Sequence, residues 1–332
     1  MRHLRTSGLA ALFTLSIAAC GGPAADGGGD AAVAACNRDC LIQLTKSYLA
    51  AVVARDTSAV PLAANIAFVE NVTRMKPGEG LWANATSGPT TFAVYVPDVE
   101  QQQAGFIGVM EREGQNGSEP VLVAVRLKLE DGKITEAEHL VAAASQNNMQ
   151  RLQTPRPGLL SEVPAANRKS HDDLVKIGLS YYDALDGNDG SLMPFADDCQ
   201  RHENGMVTAG PEAGAGPNAD ANRAPVARLC GPQLTSKTFT YIDRIENRRL
   251  IAADPVTGLS MGFSHFRHPF DNLPYQVVLT DGSTAERNKE NMPYNPFDMP
   301  AAHIFKIGAD GMVHEIEAVG FVAPYNSPTG WE

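Results

Sequence analysis

Three short clusters carry the residue types that acid–base chemistry needs. Tyr182-Asp183 sets a phenol beside a carboxylate, Arg201-His202 a guanidinium beside an imidazole, and Ser264-His265-Phe266-Arg267-His268 two imidazoles around a further cation. An imidazole titrates near neutral pH and can give or take a proton there. A phenol or a guanidinium can hold an oxygen on which negative charge develops. His202, Asp183, Tyr182 and His265 are therefore the candidate catalytic residues, with His202 or Asp183 as base and Tyr182 or His265 polarising the oxyanion. Tyr181, Arg201, Tyr241 and Tyr325 are candidates for holding a substrate, Tyr241 and Tyr325 having the plainer alternatives of strand packing and a C-terminal plug. Along a strand His265 and His268 point to opposite faces, and His265 shares its face with Met261 and Phe263, so its side is expected to be the buried one.

The elements that must position these residues occur twice. Shifting the chain by 133 positions lays Ser47-Tyr48 on Ser180-Tyr181, Asp56 on Asp189, Pro61 on Pro194 and Glu70-Asn71 on Glu203-Asn204. Nine of the 25 positions from Ser47 to Asn71 are identical, far above chance, so the chain holds an internal repeat. Each copy opens with a helical apolar face, Leu41, Leu44, Tyr48 and Val52 in the first and Leu174, Ile177, Tyr181 and Leu185 in the second. Short β-rich runs follow and end in an Asp-Gly hairpin, at Asp131-Gly132 and Asp310-Gly311. A helix followed by antiparallel strands implies an α+β layer fold. Groups common to both copies, Tyr181, Asp189, Pro194, Glu203 and Asn204, are read as scaffold. Groups special to the second copy are read as function: Tyr182 and Asp183 stand opposite Leu49 and Ala50, and Arg201 and His202 opposite Phe68 and Val69. Glu136, Glu138, Glu315 and Glu317 alternate with other residues near the ends of the copies and are expected to face solvent.

Composition bounds the rest. Residues 1–19 have a positive start and a short apolar run from Leu9 to Ala19, which is a secretion signal too short to span a bilayer. Residues 20–35 are rich in Gly and Ala and read as a tether, and 151–168, with Thr154-Pro155-Arg156-Pro157-Gly158, as a linker. That leaves a first domain at 36–150 and a second at 169–332. Loss of the signal takes the net charge from −11 to −13, which repels phosphate backbones and excludes nucleic acid as a partner. Cys36, Cys40, Cys199 and Cys230 allow three pairings; Cys36 with Cys40 and Cys199 with Cys230 are expected because each pair stays inside one proposed domain. No metal triad, P-loop, dinucleotide fingerprint or Gly-x-Ser-x-Gly elbow is present, so no cofactor and no metal are implied.

Two resemblances add to this reading. Ile17-Ala18-Ala19-Cys20-Gly21 resembles the bacterial lipobox, which implies lipidation of Cys20 and, with no Asp after it, the periplasmic face of an outer membrane. The opening helix with its Tyr, Asp and Pro, followed by Phe195-Ala196-Asp197-Asp198-Cys199-Gln200-Arg201-His202-Glu203-Asn204-Gly205, resembles the nuclear transport factor 2-like superfamily. Gly78-Glu79-Gly80-Leu81-Trp82, Pro324-Tyr325 and Gly330-Trp331 bring it nearer to uncharacterised SnoaL-like proteins. The resemblance implies two tandem cone-shaped domains, each a curved antiparallel sheet packed on N-terminal helices around a mostly apolar pocket. Tyr182-Asp183 is similar to the adjacent Tyr and Asp of scytalone dehydratase-like members. The superfamily includes dehydratases, isomerases and cyclases as well as members without catalysis.

Two functions follow as expectations. One is a cofactor-independent lyase, dehydratase or isomerase acting on a small apolar or aromatic molecule in the second domain, the first being structural. The other is a lipoprotein that binds a hydrophobic ligand or a protein partner without catalysis, touching the membrane through its lipid anchor only.

Overall fold

Each copy starts with a capped helix. In the first half Asn37 accepts the Cys40 N–H and opens α1 (Arg38–Ala54), and Asp56 then accepts the Ser58 N–H to make a single turn of 3-10 helix. Then come β1 (Leu62–Glu70), β2 (Thr73–Met75), the short α2 (Leu81–Asn84), β3 (Ala85–Ser87), β4 (Ala93–Asp98), β5 (Gln103–Gly114), β6 (Gly117–Glu130) and β7 (Lys133–Ala143). A connection carrying α3 (Pro157–Leu160) leads to the second half. There Ser170 caps α4 (His171–Asp186) through the Asp173 N–H, and Asp189 caps the next turn through Ser191. The second half continues with β8 (Phe195–Glu203), β9 (Met206–Ala209), α5 (Cys230–Thr235), β10 (Arg244–Asp254), β11 (Leu259–His268), β12 (Tyr275–Val278), β13 (Thr284–Arg287), β14 (Phe297–Ile307), β15 (Val313–Gly320) and β16 (Ala323–Pro324). This computed structural model describes residues 35–213 and 226–332; Cys20 lies outside them.

The 133-residue offset holds element by element, since α1, β1 and β2 begin at 38, 62 and 73 and α4, β8 and β9 at 171, 195 and 206. The two sheets have the same order, β2-β1-β7-β6-β5-β3 with β4 also on β5, and β9-β8-β15-β14-β11-β10 with β16 also on β14. The fold is α+β, two curved sheets with helices at their openings. Each sheet is mixed where all-antiparallel pairing is expected from sequence, because β1 runs parallel to β7 and β8 parallel to β15. Hairpins force the later strands antiparallel; β1 and β8 follow a helix and are free of that constraint.

Both faces of each sheet are buried. On β6, Val121, Val123, Val125 and Leu127 fill the interior of the first half, while Leu122 and Ala124 face the other way. That other face packs with Val94, Ile107 and Leu140 against Met261, Phe263, Ile304 and Val319 of the second half, so the two sheets lie back to back. A third cluster, with Leu174, Tyr181, Phe305 and Ile316, fills the second interior.

Charged pairs border this contact in a reciprocal way. Arg38 at the start of α1 reaches Asp254 at the end of β10 (2.9 Å), and His171 at the start of α4 reaches Asp98 at the end of β4 (2.8 Å). Arg249 grips Glu138 through two hydrogen bonds of 2.7 and 2.8 Å. Arg156 bonds Glu315 and Glu317 at 2.6 and 3.2 Å. Glu138 and Glu317, expected in solvent, are thus buried at 5% and 1% exposure, because what would be the outer face in an isolated domain is covered here by the other half and by the connection. Burial pushes the Glu317 carboxyl up to about 8 against the pull of Arg156.

Candidate functional site

The second interior is incompletely filled and leaves a cavity of about 280 Å3. Period-two alternation decides what it sees: Arg201 on β8, His268 and Phe266 on β11, His303 on β14 and Ala318 on β15 all point inward, and Tyr181 meets them from α4. Phe239, Tyr241 and Phe297 complete an aromatic wall. His268 lies flat on Phe297 with ring centres 4.4 Å apart and on Tyr241 at 5.6 Å.

Arg201 dominates the electrostatics. It is 1% exposed, and its Nε donates to Thr208 Oγ1 at 3.0 Å while its Nη2 donates to Gln233 Oε1 at 2.6 Å. Glu203 Oε1 lies 3.0 Å from Nε, and the Tyr181 hydroxyl 3.5 Å from Nη1. Burial pushes the Tyr181 phenol up to about 12. Burial, helped by the Arg201 charge, pushes His303 down to about 3, and burial pushes His268 down to about 4. Both imidazoles are therefore neutral at pH 7. The Nδ1 of His268 has no hydrogen-bond partner among the described residues. The cavity thus combines the Arg201 guanidinium with Glu203 at its edge, two phenols and two neutral imidazoles among apolar side chains.

Of the candidate catalytic and substrate-holding residues, Tyr181, Arg201 and Tyr241 meet in this cavity and the others do not line it. Tyr182 is buried one layer behind, its hydroxyl 3.5 Å from His303 Nδ1. Asp183 sits on the solvent side of α4 and pairs with Arg248 at 2.8 Å. His202 is buried on the opposite face of β8, where burial and the charges of Arg156 and Arg151 push it down to about 3. His265 also faces outward, 3.1 Å from Ser327 Oγ, in a network with Arg267 and Asp298 that fastens the C-terminal segment. Ser327 and Asp298 both approach the same His265 nitrogen, so the three do not form a nucleophilic relay. Tyr325 is half-buried beside Arg244. The disulfides are Cys36 with Cys40 and Cys199 with Cys230, and the second ties α5, which carries Gln233, to the strand that carries Arg201. Sequence reading missed His303, whose strand alternates Ala301, His303 and Phe305 inward, and it ranked His268 below His265.

The first interior at the matching positions is packed and internally bonded. Trp82 Nε1 donates to the Tyr48 hydroxyl (3.3 Å), which lies 2.9 Å from His139 Nε2, and His139 Nδ1 is 3.1 Å from Glu70 Oε2. Glu70 in turn accepts the Leu81 N–H at the start of α2. Gly80 makes this possible, since at φ 63° it has a backbone few other residues adopt, and a Cβ there would fall 2.4 Å from the Glu70 carboxylate.

The second half, residues 167–320, matches the model of a protein family described as a domain of unknown function, DUF8021. The match falls on the cavity half. No curated protein matches the sequence. Among solved structures, the chain is similar to a hypothetical protein with a ketosteroid isomerase-like fold from Catenulispora acidiphila in complex with trimethylamine, at 14% identity and a TM-score of 0.26 over 34% of this chain and 94% of that one. It is also similar to a candidate polyketide cyclase from Silicibacter, at 13% identity and a TM-score of 0.27 over 46% of this chain and 92% of that one. A candidate SnoaL-like polyketide cyclase from Jannaschia aligns at 12% identity and a TM-score of 0.25 over 46% and 89%.

Proposed function

We propose that the second half is the working half, a cofactor-independent acid–base catalyst of the isomerase, lyase or dehydratase kind that acts on a small apolar or aromatic molecule, with the first half as its scaffold. The observation that carries this is the meeting of Arg201, Tyr181 and the neutral His303 around one apolar cavity. His303 takes a proton from a carbon beside a carbonyl, and the electron pair moves onto the carbonyl oxygen, where Arg201 and Tyr181 hold it. The proton then returns to a different carbon, or leaves with an expelled hydroxyl group as water. An oxygen anion against Arg201 also offsets the charge that helps to depress His303, so the imidazole gains basicity when substrate is in place. The test is exchange of the α-protons of 2-tetralone in deuterated water, followed by NMR. Exchange faster than in buffer, lost in His303→Gln, supports the reading; no acceleration by the unmodified protein overturns it.

A second reading, a cavity that holds its ligand without turnover, is favoured by one feature. The contact His303 makes with a hydroxyl is long, 3.5 Å, and its depressed basicity traces to burial and Arg201, with no carboxylate partner among the described residues to orient the ring. Binding without proton exchange is the outcome that selects it.

We also propose export and anchoring through Cys20, in keeping with two disulfides, which persist in oxidising compartments. Cys20→Ala is expected to move the protein from the membrane to the soluble fraction on cell fractionation; unchanged membrane association would discount the anchor.

A further inference from the structure

The polar groups of the second-half cavity select more narrowly than its size does. Its charged lining residues are Arg201 and Glu203; Arg201 is wholly buried, whereas the Glu203 side chain is 41% exposed and lies at the Nε edge of the guanidinium. That edge and Nη2 are tied to the wall through Thr208, Glu203 and Gln233, while Nη1 makes a long 3.5 Å contact with the Tyr181 hydroxyl, itself part of the cavity lining. A guanidinium presents its N–H groups as a planar fork suited to two oxygens at once. One wall of the cavity is aromatic: Phe297, His268 and Tyr241 have near-parallel rings, with interplanar angles of 14° and 28° along the series. His268 is 3% exposed, and its Nδ1 lacks a hydrogen-bond partner among the described residues. The volume, about 280 Å3, falls just under the usual range for ligand pockets, roughly 300 to 1,000 Å3, and suits a small ligand.

We infer that this cavity takes a planar aromatic carboxylate of one or two rings, its carboxylate on Arg201 Nη1 and the Tyr181 hydroxyl and its ring plane on the Phe297, His268 and Tyr241 wall. The inference rests on the proposal that the second-half cavity is the working site, and it adds the charge and shape of what binds there: the carboxylate takes the seat of the enolate oxygen, so the acid binds as that charged state does and is not itself enolised. A neutral analogue gives Nη1 no anionic partner, since Glu203 lies at the Nε edge, and a cation meets the guanidinium with like charge.

The experiment is calorimetric titration of the full chain with three probes of one shape: 2-naphthoate, 2-naphthamide and 2-naphthylmethylammonium. The carboxylate is expected to bind at least about tenfold more tightly than the amide, the margin of one charge-assisted contact, and the ammonium not to bind. Arg201→Gln is expected to erase the acid-over-amide preference while leaving the amide bound, and Phe297→Ala to weaken acid and amide alike. Equal binding of acid and amide by the unmodified protein, or a preference that survives Arg201→Gln, overturns the inference and leaves the cavity as a ligand site. The acid-to-amide ratio of the unmodified protein decides the matter alone if the Arg201 variant does not fold. Failure of all three probes to bind overturns the inference together with the choice of cavity. Tight naphthoate binding without proton exchange upholds the inference and removes only the catalytic part of the proposed function.

Discussion

The two interiors are built on one frame and differ in a few side chains. Tyr48 and Tyr181 occupy the same place on the opening helix, and β1 and β8 present Phe68 and Arg201 at matching positions. Register makes the next pair visible: Glu70 lies opposite His139 on β7, and Glu203 lies opposite Ala318 on β15. In the first half a large imidazole closes a chain of hydrogen bonds from Trp82 to Glu70, and Phe68 fills the remaining space. In the second half a methyl group replaces the imidazole, a guanidinium takes the place of a phenyl ring, and the tyrosine exchanges its imidazole partner for a long contact with that guanidinium. A cavity is what these exchanges leave behind, and its charge comes with them. A cone interior is thus a solid core or a binding site depending on two or three residues, without any change in strand order.

Trp82→Ala is expected to give the largest effect, a loss of about 3–5 kcal/mol in urea unfolding, because Trp82 is 1% exposed and bonded to Tyr48. If the first half is scaffold, naphthoate affinity per folded molecule should not change. Next comes Arg249→Met, which leaves Glu138 buried without its two hydrogen bonds and should cost about 2–5 kcal/mol; the added Glu138→Gln change should recover much of it. A cost under about 0.5 kcal/mol would mean that the pair behaves as a surface contact. Ala318→Leu should then make the second interior more like the first, weakening ligand binding about tenfold by filling the cavity, with a melting shift of a few degrees. Unaltered binding would place the ligand elsewhere.

The pH dependence of stability has two limbs. His202 and His303, held near 3, and His268, near 4, are depressed first of all by burial. The unfolded chain binds their protons near 6.5, so their contribution is present above that value and is lost as pH falls toward 4. His171 has the opposite sign: burial alone would lower it, but Asp98 raises it above 6.5. Its contribution is full below about 6.5 and disappears as pH rises through its folded value. Urea midpoints measured from pH 4 to 8 should show the acid limb flattened in His303→Gln and the upper limb flattened in His171→Asn; unchanged limbs would dissociate these residues from the response.

The sequence made the repeat legible because Asp56, Ser58 and their counterparts Asp189 and Ser191 are turn formers whose identity is set locally. It also made legible that the second copy is the one carrying polar interior groups, through Arg201 against Phe68. It could not tell which buried face is which. His265 shares a side with Met261 and Phe263, and that side is indeed buried, but against the other half and not in the second interior cavity. His202 and Glu317 were misplaced for the same reason, since alternation along a strand separates two faces without saying what covers each. His303 escaped notice because the run Pro300-Ala301-Ala302-His303-Ile304-Phe305 reads as continuously apolar, as strands buried on both faces do.

The reciprocal contacts of Arg38 with Asp254 and of His171 with Asp98 have the form of a two-fold subunit interface contained within a single polypeptide. Because the connection joins the partners, their association is unimolecular, and dilution does not separate them as it would a pair of free subunits. A half that has given up its own pocket is therefore not dispensable: it is a permanently tethered cover for the back of its neighbour's sheet. Cutting the chain between 151 and 168 would turn that cover into a dissociable subunit, and the melting temperature would begin to depend on protein concentration.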